Sequence, residues 1–67
     1  MASKEARDLK EGDVEVRLGM QHHRVVSVTP IGDGRSYVEV KTEQVGNPAN
    51  VTVTTLPSST RVNVLDA

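Results

Sequence analysis

From Val14 onwards the chain alternates short apolar and polar positions with the period of half-buried strands. Val14, Val16 and Leu18 point one way and Glu15 and Arg17 the other, until Gly19 ends the run and Met20-Gln21-His22 forms a loop. His23–Ile31 and Arg35–Glu43 then flank Gly32-Asp33-Gly34, a hairpin signal. A three-residue turn sets Ile31 opposite Arg35, so Val28 faces Val38 and Val26 faces Val40, four valines on one dry side. The other side reads Thr29 with Tyr37, Ser27 with Glu39, Val25 with Lys41 and His23 with Glu43. That side is mixed and wet, as in an antiparallel sheet that buries one face.

Residues 45–50, rich in turn formers, predict a loop. Val51–Leu56 predicts a fourth strand with Val51 and Val53 inward and Thr52 and Thr54 outward. Pro57-Ser58-Ser59-Thr60 breaks it as one 3₁₀ turn, and Arg61–Leu65 forms a fifth strand with Val62 and Val64 inward. Residues 2–10 alone have helix-forming composition. Ser3 caps a short helical turn there with Ala6 and Leu9 inward, or the segment is a tail whose Leu9 plugs one end of the core.

The order of five short strands, a long central hairpin and a one-turn break resembles the SH3-like small β-barrel superfamily. Leu9-x-x-Gly12-Asp13-x-x-x-Arg17 is similar to the first-strand region of small barrels of that group, including translation-factor and KOW-type ones. Leu56-Pro57-Ser58-Ser59 resembles the 3₁₀ turn that these folds place before their last strand. The resemblance implies an all-β, five-stranded SH3-like barrel spanning residues 1–67 as one domain, with a closed edge. An Sm-like barrel, with a short N-terminal helix and five bent strands, is the alternative.

Composition narrows the chemistry. At 67 residues without cysteine, the chain has a small core, no disulfide or zinc ribbon, and an expected stability of about 3–5 kcal/mol. No apolar run reaches membrane-spanning length and Met1-Ala2-Ser3-Lys4-Glu5 lacks a signal-peptide core, so a cytoplasmic protein without membrane contact is expected. The net charge of −1 gives no basic footprint for nucleic acid. Tyr37 is the only aromatic, too few for a groove that reads proline-rich ligands or a cage for methyl-lysine.

No motif supplies a catalytic constellation, and no enzyme and no cofactor are expected. His22 and His23 are neighbours on a strand, point apart, and lack a third ligand at metal-like spacing, so two solvated histidines are expected. Glu15, Glu39 and Glu43 fall on outward positions among Arg17 and Lys41 and read as surface charge. Gly32-Asp33-Gly34 is too short to cradle a phosphate.

Recognition is left to the surface. The register puts Val25, Ile31 and Tyr37 on an otherwise polar hairpin face, flanked by Arg35 and Lys41, with Val45 in the following loop. A non-enzymatic interaction module follows, with a protein partner or a second copy of the chain. The alternative is weak nucleic-acid binding through Arg24, Arg35, Arg61 and Tyr37.

Overall fold

The computed structural model describes residues 2–65. The chain is all-β. Its strands are β1 (Ala2–Glu5), β2 (Val14–Arg17), β3 (Gln21–Ile31), β4 (Tyr37–Gln44), β5 (Asn47–Pro57) and β6 (Arg61–Val64). They form one antiparallel sheet in the order β1-β6-β2-β3-β4-β5. Six strands replace the expected five, because residues 2–5 pair with β6 instead of coiling into a helix. A 3₁₀ turn follows at Ala6–Asp8. The 3₁₀ turn expected at Pro57-Ser58-Ser59-Thr60 does not form: β5 continues through Pro57, and a single tight turn, closed by the Thr60 amide on the Pro57 carbonyl at 3.0 Å, leads into β6.

The sheet is bent but open. Its ends, β1 and β5, do not pair with each other among the described residues. At one corner the 3₁₀ turn bridges towards the β5–β6 connection: the Ala6 amide donates to the Thr60 carbonyl at 2.7 Å and the Arg7 amide to Ser58 at 3.0 Å. Ala6 and Leu9 are thereby buried against Val25, Val38, Val40, Val62 and Val64, with Val28 and Leu56 packed on the rim. Leu9 does plug the core, and Val38, Val40, Val62 and Val64 face inward as the alternation requires.

The central hairpin differs from the simplest register in two ways. Its turn takes five residues, so Ile31 stands opposite Tyr37 and Val28 opposite Val40. Gly34 and Arg35 are both left-handed, with φ of 67° and 58°, and the Ser58 side chain donates to the Arg35 carbonyl at 2.6 Å. The longer turn is therefore pinned to the neighbouring β5–β6 connection. A two-residue offset keeps each side chain on its face.

The second difference does not. A bulge between Val25 and Ser27 leaves Val26 without an opposite number and inverts the faces below it. Val25 is 1% exposed in the core, whereas the turn-based register puts it outside. His23 is buried too, opposite Gln44 on β4 and Glu15 on β2, instead of solvated opposite Glu43.

The same parity error reaches β5. The β4–β5 turn contains Val45 and Gly46, and β5 begins at Asn47, inside the segment expected to be a loop. Between Asn47 and Val51, three residues lack partners on β4, which reverses the strand's faces. Thr52, Thr54 and Leu56 lie opposite the inward Thr42, Val40 and Val38, so Val51 and Val53 face solvent. On β2, Glu15 and Arg17 line the inner cavity, and Leu18, expected inside, is almost fully exposed.

Candidate functional site

Three regions collect chemistry. The first is the outer face of β3, β4 and β5. Ile31 opposes Tyr37, and Tyr37 opposes Pro57, so an apolar row crosses three strands. The Tyr37 ring lies over Gly32, where an added Cβ would meet ring carbon Cδ2 at 3.5 Å, yet the residue is still 47% exposed. Four positions along, Lys41 stands between Ser27 and Val53 on the same face. Of the expected contact residues, Ile31, Tyr37 and Lys41 share this surface. Arg35 sits in the turn at one end, and Val25 is on the opposite side of the sheet, inside.

The second region is the rim at the other end of the sheet. The β2–β3 turn, Leu18-Gly19-Met20, exposes both apolar side chains, and Met20 has a left-handed φ of 62°. Val45 lies beside it, its amide donating to the His22 carbonyl at 2.9 Å. Leu18, Met20, Val51 and Val53 are exposed apolar residues that the alternation assigns to the core or to no site. For Leu18 and Met20 a signal was available: one glycine between two strand-like runs marks a tight hairpin, whose tip faces water.

The third region is the inner polar end. Arg17 Nε lies 2.7 Å from Glu15 Oε1, and its Nη2 donates to Thr42 Oγ1 at 3.3 Å. These groups stand over a cavity of about 240 Å³ lined also by Leu9, Val25, Val40, Thr54 and Leu56. His23 projects from the same face with neither ring nitrogen hydrogen-bonded among the described residues. Burial holds its imidazole below its ordinary pKa, reinforced by the Arg17 charge and opposed by Glu15. A neutral ring is the stable form there. Glu15 and Arg17 satisfy each other, so the pair braces the sheet interior; it does not offer a free carboxylate for proton transfer.

The arginines do not gather. Arg24 pairs with Glu43 at 3.3 Å near the start of β3, and Arg61 on β6 donates to Ser3 Oγ at 2.8 Å. Arg35 lies beyond the far end of β3, seven strand positions from Arg24 to Ile31 at roughly 3.3 Å each. Arg35 and Arg7 instead flank a cleft of about 410 Å³ floored by Leu9, Val28, Pro30 and Val38. Among the described residues no three histidine or acidic side chains cluster as a metal site would require, and no helix is long and apolar enough to cross a membrane.

No family model, curated protein or solved structure matches this chain.

Proposed function

We propose that this chain is a non-enzymatic protein-interaction module that docks a partner protein on the outer face of β3, β4 and β5, with Tyr37 at the centre of the contact. The observation that carries this reading is the Ile31–Tyr37–Pro57 row, which sets the sole aromatic ring between two apolar neighbours on an exposed face. Tyrosine suits such a place because its ring contributes apolar contact and its hydroxyl tolerates water. Lys41, flanked on β4 by Glu39 and Glu43, supplies charge around the row, the polar rim expected of a docking surface.

The proposal takes the bent sheet as a small barrel of the SH3-like kind with one side left open. Support comes from the long central hairpin and from the corner where Ala6 and Arg7 bridge to the β5–β6 connection. The arginine-based nucleic-acid reading has no comparable support, since Arg24, Arg35 and Arg61 lie on separate parts of the fold.

The test uses the immobilised chain in extract of its native host, beside Tyr37→Ala and the double variant Tyr37→Ala/Lys41→Glu. A protein retained by the parent and lost from both variants, with circular dichroism unchanged, is the expected result. Identical capture by all three overturns the reading.

A further inference from the structure

β5 is the longer of the two strands that end the sheet. It runs 11 residues, pairs with β4 on one side and meets no strand on the other among the described residues. Alternate peptide groups along that free side point to solvent, a ready template for another strand. Proteins normally blunt such an edge with charge. The opposite edge, β1, does so: it has four residues, two of them Lys4 and Glu5.

β5 has no such protection. The chain carries eight Lys/Arg and nine Asp/Glu, yet none falls anywhere in residues 44–60. Prolines 48 and 57 stand near the strand's two ends and confine pairing to the stretch between them, Ala49-Asn50-Val51-Thr52-Val53-Thr54-Thr55-Leu56. That stretch is dominated by β-branched residues, which favour an extended backbone. Its five central residues, Val51-Thr52-Val53-Thr54-Thr55, are close to symmetrical about Val53.

We propose that β5 pairs antiparallel with β5 of a second copy of this chain, across a two-fold axis at Val53. In that register Val53 meets its own counterpart, Thr52 meets Thr54, and Val51 meets Thr55. Each is a favourable cross-strand pair, and the threonine pairs fall on the inner face. A strand bearing charge would lose solvation against this neutral segment and gain no counter-charge, whereas a second copy brings an equally neutral one. Val51 and Val53, 47% and 56% exposed, gain neighbours on the outer face. The arrangement is isologous and closes at two copies, so it consumes the exposed edge without leaving a new one of the same kind. It goes beyond the Tyr37 docking face: it meets that face only at its β5 border, leaves the Ile31–Tyr37–Pro57 row uncovered, and holds or fails separately from it.

Sedimentation equilibrium over a wide concentration range tests the pairing with the full chain. The parent is expected to move from 7.2 kDa towards twice that mass as concentration rises. Val53→Lys and Val53→Glu each set like charges against each other at the axis and should weaken association by about tenfold or more. An equimolar mixture of the two should restore it as a mixed dimer. Tyr37→Ala should dimerise like the parent. Monomer at every concentration overturns the pairing, as does a parent dimer that either Val53 variant leaves intact, or variants whose mixture stays monomeric. Val53 is exposed, so both variants should fold; thermal melting of each beside the parent separates lost pairing from lost structure.

Discussion

The Val25 amide donates to the Asp13 carbonyl at 2.8 Å, and the Gly12 amide returns a bond to the Val25 carbonyl at 3.0 Å. This reciprocal pair ties β3 to the turn ahead of β2 at the point where the bulge at Val26 interrupts the β3–β4 ladder. The side chain of Val25 is thereby turned into the core, and its neighbour Val26 is only half-buried.

Two adjacent valines should therefore respond differently to charge. Val25→Glu buries an unpaired carboxylate at a 1%-exposed site, which costs several kcal/mol. In a domain of about 3–5 kcal/mol stability that unfolds the chain. Val26→Glu should cost no more than about 1–2 kcal/mol and leave a cooperative melt. Thermal denaturation of both variants checks the contrast.

His23 predicts an acid-side loss of stability. Its folded pKa is lowered from an ordinary value of 6.5, by burial first and then by Arg17. The unfolded chain therefore binds a proton more readily than the folded one. Stability is full above pH 6.5 and falls as pH drops from there towards the lowered folded pKa. His23→Leu removes the titration and an unsatisfied buried group, so that slope disappears, and stability at neutral pH stays level or rises by about 1 kcal/mol. Denaturant titrations at pH 7.5 and 5 compare the two proteins.

Asp13 acts on a lower pH range. Burial pushes its carboxyl up, but the Lys4 ammonium, the Lys10 amide and the charges of Lys4 and Lys10 outweigh it and hold the group below its usual value of 3.8. Stability from this site is present above that value and is lost as pH falls through the folded pKa. The Lys4 bond, at 3.0 Å, ties β1 to the turn before β2. Asp13→Asn should cost about 1 kcal/mol at neutral pH, and Lys4→Met should lower stability in the same direction. Urea unfolding midpoints report both.

Met20 holds a left-handed backbone at an exposed turn. That conformation costs a non-glycine residue about 1–2 kcal/mol. Met20→Gly should relieve it, and the greater freedom of glycine in the unfolded chain offsets part of the gain. A net stabilisation of up to about 1 kcal/mol, read as a higher Tm, is expected.

Much of the inner face was legible because valines spaced by two on β4 and β6 leave only one way to bury both members. The outward placement of Ile31 and Tyr37 was legible for the same reason, since a turn longer by two residues preserves parity. Val25 and the β5 valines were not. Their faces depend on one extra residue at Val26 and on three unpaired residues between Asn47 and Val51, and neither irregularity has a local signature as plain as a glycine turn. Glu15 and Arg17 misled for a different reason: an ion pair that satisfies itself can occupy an inward position that alternation reserves for apolar side chains.

The placement of the valines carries both the fold and the contact surfaces, and their methyl groups can be read individually. A soluble paramagnetic agent, added to dilute protein with assigned valine methyl resonances, should broaden Val51 and Val53 strongly and leave Val25, Val38, Val40, Val62 and Val64 sharp. A broadened Val25 beside protected Val51 and Val53 methyls in the monomer would contradict the structure described here and both surfaces inferred from it.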